Sequence, residues 1–182
     1  MTLPLTEAAA VVAFWRDAGP KRWFSKNAAF DAAFGARFLD AHESAAHGEL
    51  EAWEADPTGA LALAILLDQY PRNAFRDTPR VYATDAQARA VATRAIAAGL
   101  DAAIEAPLRL FLYLPFAHSE DLADQQRSLA LQRAIDPALM EHAQEHHDIV
   151  ARFGRFPHRN AVLGRATTAN EQQFLDGGGF RG

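Results

Sequence analysis

Apolar positions along the chain recur at helical spacing, and no stretch alternates with period two over a useful length. Thr6, with Glu7 behind it, is placed to cap a first helix that Gly19-Pro20 ends. Beyond Trp23 and Phe24, the residues Phe30, Phe34 and Phe38 recur every four positions and form one aromatic stripe on a longer helix, closed near Gly48. A short amphipathic turn carrying Leu50 and Trp53 leads to Asp56-Pro57, an N-cap followed by the proline that suits a first helical position. The segment from Ala60 to Gln69 is apolar on every side, which predicts a central helix.

The second half continues the pattern. Thr84-Asp85 opens an alanine-rich helix closed by Gly99, and Pro107 opens another through Leu108, Phe111 and Leu114 that Pro115 is expected to break. Ser119 is placed to cap a helix beginning Glu120-Asp121. Asp136-Pro137 launches a helix ending at Gly154, and Thr168-Ala169-Asn170-Glu171 has capping-box spacing for a last short helix before Gly177-Gly178-Gly179. The expected fold is all-α, with roughly eight or nine helices, short loops and sequential neighbours packed antiparallel. No linker, charge block or low-complexity segment divides the chain, so residues 1–182 read as a single domain. Periodicity alone leaves two arrangements open, stacked helical hairpins and a closed bundle.

Two phrases match across the chain: Tyr70-Pro71-Arg72-Asn73 and Phe156-Pro157-His158-Arg159-Asn160. Each follows an apolar run and puts an aromatic ring, a proline, a guanidinium and an amide where a helix is expected to stop. They are predicted to meet, together with His118-Ser119-Glu120-Asp121 and His146, at one polar centre.

A chain of 182 residues is long enough to bury roughly 70% of its unfolded surface without covalent staples. With Cys 0 there is no disulfide framework and no thiolate nucleophile. The formal net charge of -5 argues against nucleic acid or an anionic membrane as a mainly electrostatic partner. The apolar run at Ala8–Phe14 ends at Trp15-Arg16-Asp17, short of a bilayer span. A soluble, cytoplasmic protein is expected.

Four segments are chemically loaded. In the first, Asp68, Arg72 and Asn73 emerge from an apolar helix, and a guanidinium there either ties chain ends together or grips an anion with its planar fork. In the second, His118 stands before Ser119-Glu120-Asp121, a titratable imidazole beside two carboxylates, suited to acid–base work or to plain capping. The third, His142-Ala143-Gln144-Glu145-His146, spells the H-x-x-E-H pattern of a class of zinc peptidases; it lacks an identifiable third ligand, and no metal is expected. The fourth runs from Arg152 through Arg155, His158, Arg159 and Asn160 to Arg165, a cationic stretch that either neutralises carboxylates such as Asp68 and Glu120 or lines an anion pocket.

These segments resemble the bacterial family called domain of unknown function 924, of the tetratricopeptide-like helical superfamily. The resemblance runs through Trp23-Phe24, Leu67–Asn73, Phe111–Phe116, His118–Asp121 with Gln125, His146, Arg152–Asn160, Leu163–Arg165 and Thr168 with Glu171. It implies antiparallel helical hairpins stacked in a tetratricopeptide-like array, a fold whose members usually bind peptides or proteins on a concave face. Two functions follow. One is a peptide or protein interaction module in which the motifs are interior staples. The other is a binder of a small anionic ligand, or an enzyme. In that reading His118, Glu120 and His146 are the catalytic candidates, and Asp68, Arg72, Asn73, Asp121, Arg155, His158, Arg159 and Asn160 bind the ligand. No cofactor loop is present in the sequence, so no cofactor is expected.

Overall fold

The computed structural model describes residues 3–182, and among these there are nine helices and no strand. They are α1 (Leu5–Ala18), α2 (Pro20–Trp23), α3 (Ala28–Ala46), α4 (57–74), α5 (Asp85–Ala97), α6 (Ala106–Ala117), α7 (Leu122–Ile135), α8 (Met140–Phe153) and α9 (Ala169–Asp176). The contacts between them divide the chain into two compact units. Among the described residues, one holds 3–76 with Arg80–Pro115, and the other holds Asp77–Pro79 with Phe116–Gly182. The boundary falls inside α6, with no linker to mark it in the sequence.

In the first unit α4 is the hub. Every residue from Gly59 to Pro71 is buried, and α1, α3 and α5 all pack against this helix. Asp56 caps it, its Oδ1 accepting from the amides of Thr58 and Gly59 at 2.8 and 3.1 Å. Gly59 lets the helix start close against the preceding turn, since a Cβ there would lie 2.1 Å from the Trp53 carbonyl oxygen. The predicted aromatic stripe is the inner face of α3: Phe30, Phe34 and Phe38 are buried, and Phe34 meets both Trp15 (5.3 Å) and Tyr70 (5.2 Å). Each buried ring contributes about 2–3 kcal/mol.

The phrase Tyr70-Pro71-Arg72-Asn73 does not stop its helix. Residues Ile65–Gln69 widen into a π-helical turn, with the Tyr70 amide donating to the Ile65 carbonyl, and Tyr70–Ala74 continues as α-helix. Pro71 brings no N–H to the carbonyl of Leu67 four residues earlier. That carbonyl instead accepts the Thr84 hydroxyl, and the neighbouring Leu66 carbonyl accepts Nδ1–H of the buried His42 at 2.9 Å. Thr84 is therefore occupied away from α5, whose start it does not cap with its side chain. Pro115 likewise lies inside α6 rather than ending it.

Further differences from expectation are local. The helix α1 begins at Leu5 after Pro4, without a side-chain cap from Thr6. The N-cap of α7 is Asp121, whose carboxylate takes the amides of Ala123 and Asp124, while Ser119 accepts from the Asp121 amide and donates to Asp124.

The second unit pairs α7 with α8. Its core is Ile149, Val150 and Phe156, with Phe153, Phe174 and Phe180 packed against them. Here the second phrase is a true corner. Gly154 takes a left-handed conformation (φ 68°) that ends α8, and Pro157–Arg159 forms a single 3₁₀ turn. Thr168 and Glu171 close both bonds of the expected capping box on α9.

Candidate functional site

The predicted site residues fall into two clusters, one in each unit. In the first unit, Arg72 makes a two-pronged bond to Asp85, Nη1 to Oδ1 at 2.8 Å and Nη2 to Oδ2 at 3.0 Å, and also reaches the Asp68 carboxylate at 3.1 Å. Burial opposes the charge on Arg72, but Asp68 and Asp85 outweigh it and hold the guanidinium charged above its ordinary range. Gln69 donates to the other oxygen of Asp68, and Asn73 donates to the Gln69 carbonyl. Asp85, absent from the sequence reading of this cluster, supplies half of its charge balance. Its only sequence signal is a position at a helix start.

The second cluster collects His118, Glu120, His146, His158, Arg159 and Asn160. Arg159 is buried (6% exposed), donates from Nη2 to the His118 carbonyl at 2.9 Å and lies over the Phe156 ring at 4.5 Å. The His118 and His146 rings are 6.4 Å apart between centres. Nδ1 of His146 lies 2.7 Å from the His142 carbonyl, so it carries the proton, and Nε2 is left as an acceptor with no hydrogen-bond partner among the described residues. Phe156 and Phe180 flank the ring at 5.5 and 4.6 Å. Burial, then the neighbouring His118, lower the pKa of His146 to about 4 against the pull of the His142 carbonyl, with Arg159 adding to the lowering. It is a neutral base at pH 7.

Other members are committed to the fold. Glu120 takes both the Phe156 amide (2.9 Å) and Arg165 (2.8 Å); burial pushes its carboxyl up, but these bonds and the charge of Arg159 hold it below the usual range. Arg155 is bonded to Glu171 in a fork at 2.6 and 3.0 Å, which takes the Glu171 pKa down to about 2. Asp121 caps α7, and His158 is held between Phe156 and Phe180. Asn160 donates to Thr167, while its buried Oδ1 finds no partner among the described residues. Gln125, fully buried, donates to the carbonyls of Ala117 and Ser119, and its Oε1 is similarly unmatched. Among the described residues no group of three His, Cys, Asp or Glu is arranged to hold a metal ion.

Two surface hollows lie outside these clusters, and the sequence reading named neither. In the second unit, a hollow of about 480 Å³ runs along α8, where Glu141, His142, Glu145 and Asp148 face Phe153 and Phe174. In the first unit, a groove of about 260 Å³ lies on α1 to α3 with Phe14 and Phe30 in its floor and Arg22 and Arg37 exposed beside them. Close to it in the chain, Phe24 is 66% exposed. The sequence carried a signal for this face: the chain has two lysines, Lys21 and Lys26, and they bracket Arg22-Trp23-Phe24.

The fold and the two clusters define an all-helical protein whose polar motifs are cross-tied by carboxylate–guanidinium pairs. The chain belongs to the family described as "Bacterial protein of unknown function (DUF924)", which matches residues 11–179. A solved structure of a protein of unknown function from Agrobacterium tumefaciens is similar, with 52% identity, a TM-score of 0.92, and coverage of 94% of this chain and 98% of that one. No curated protein matches the chain. Among the described residues no helix is long and apolar enough to cross a membrane.

Proposed function

We propose that the protein is a peptide- or protein-interaction module of the cytoplasm, built as stacked helices, in which most motif residues serve as staples. The observation that carries this reading is the exposed face of α1 to α3. Phe24 is 66% exposed, and Lys21, Arg22, Lys26 and Arg37 have no carboxylate within ion-pair reach among the described residues. In the motifs, by contrast, Arg72, Arg155 and Arg165 are all spent on carboxylates. Panning a displayed random peptide library on the purified protein tests the reading. A recurring sequence motif among the bound peptides is expected; recovery no better than on an empty support would count against it.

One observation favours a second reading, a small anionic ligand at His146. Its unprotonated Nε2 can accept from an O–H that such a ligand carries, as in hydrogen phosphate or a hydroxy acid, and Arg159 supplies positive potential beside it. A thermal-shift screen with phosphate and small carboxylates tests this. A rise in melting temperature that disappears in His146→Gln supports it, and no rise with any member of the screen opposes it.

A further inference from the structure

We infer that the partner of the α1–α3 face is an acidic peptide segment carrying an apolar side chain, a conclusion that rests on the interaction-module reading and names its site and chemistry. The charge distribution points there first. The protein is acidic overall, at -5, yet both of its lysines and two of its arginines lie within residues 21–37, the stretch that also holds the exposed Phe24. Elsewhere several arginines are spent on carboxylates: Arg16 on Glu105, Arg76 on Asp31, Arg80 on Glu43, Arg94 on Glu54. In residues 21–37 they are not. Arg37 instead lies over the Phe14 and Phe38 rings, 5.6 and 5.0 Å from their centres, so its apolar plane is packed and its N–H groups point to no acceptor among the described residues. Cations that make no ion pair, here outnumbering the one carboxylate of the groove, Asp17, are complementary to carboxylates.

The groove supplies the apolar part. At about 260 Å³ it is below the usual range for a metabolite pocket and suits a single side chain. Its floor is Phe14 and Phe30, stacked at 5.4 Å, and its sides include Ala10 and Ala13, whose small size leaves the rings open. Asp17 also lines it, so a bound segment places its carboxylates toward Arg22 and Arg37, with its apolar side chain on the rings. The neighbouring loop is prearranged. Trp23 donates from Nε1 to the Trp15 carbonyl at 2.6 Å, and Phe24 stacks on Phe111 at 5.9 Å with planes 15° apart, leaving its other face to solvent. A rigid aromatic presented in this way adds contact without an ordering penalty. A nucleic acid would require stacking partners for successive bases, whereas this face offers one exposed ring and one side-chain-sized groove, so a peptide is the better fit.

The test uses the whole protein and a fluorescent peptide array scored by anisotropy. The array includes Glu/Asp segments with one Leu or Phe, their Lys/Arg counterparts, and neutral segments; phosphatidylserine vesicles and single-stranded DNA are run beside it. The acidic apolar peptides are expected to bind, more weakly at high salt, with affinity falling by about tenfold or more in Arg22→Glu/Lys26→Glu and in Phe24→Ser. These side chains are exposed, and an unchanged melting curve for each variant separates lost binding from lost folding. Binding that Arg22→Glu/Lys26→Glu leaves unaltered overturns the site, as does preference for basic or neutral peptides, and in both cases the interaction-module reading stands. Binding to vesicles or DNA but not to peptides overturns the acidic peptide as partner. If no peptide in the array binds, and neither does any other probe, both the inference and the reading beneath it fail.

Discussion

His146 shows how a ring's surroundings set its chemistry. Its Nδ1–H is fixed by a backbone carbonyl, and burial with the adjacent His118 holds its pKa at about 4. The unfolded chain takes up this proton near pH 6.5 and the folded chain only near 4, so the unfolded state binds more protons across that window. Stability is therefore expected to be flat above pH 6.5 and to fall as pH drops toward 4, by up to about 3 kcal/mol from this group. NMR titration of the imidazole resonances, beside urea melts at each pH, checks both halves. In Arg159→Gln the His146 titration should move up, since Arg159 is one of the charges that depress it; an unmoved titration would show that the guanidinium does not act on the ring. The sequence reading expected Arg159, His118 and His146 to share one polar centre but not the bond that joins them, because Arg159 reaches the His118 carbonyl across 41 residues and no spacing rule reads such a distance.

At the scale of elements, prolines mark where local rules hold and where they give way. Asp56-Pro57, Asp136-Pro137 and the Thr168 capping box were legible because each is complete within four residues. Pro71 was not, since whether a proline ends a helix depends on what else serves the carbonyl it leaves behind. Here that is Thr84, 17 residues further on. Thr84→Val should then cost about 1–3 kcal/mol by stranding the buried Leu67 carbonyl. In a Pro71→Ala background, where residue 71 regains an N–H, the same change should cost measurably less. A double-mutant cycle on urea midpoints gives the answer, and strict additivity would contradict this account of the π turn. Charge pairs were half legible in the same way. Arg155, Arg165 and Glu120 were named, and neutralisation of Glu120 by the arginine stretch was one of two readings without a specific pair, while Glu171, the partner of Arg155, was seen only as a capping residue.

For the molecule as a whole, the two compact units share α6 and exchange chain at residues 77–79. If the single domain expected from the absence of a linker holds, the two units unfold together. Calorimetry should then record one cooperative transition whose calorimetric and van't Hoff enthalpies agree; two resolved transitions would mean two domains. All-helical architecture was readable from periodicity alone, whereas the division of contacts was not, because it depends on which faces meet. The distribution of lysine has a practical side. The only ε-amino groups in the chain, at 21 and 26, are both exposed on the segment that joins α1 to α3, where the proposed docking face lies. Amine-reactive dyes, biotin esters and carboxymethyl sensor chips would modify or tether the protein through that face and mask any partner it takes. With Cys 0, a single cysteine placed elsewhere gives thiol chemistry one address and leaves both lysines untouched.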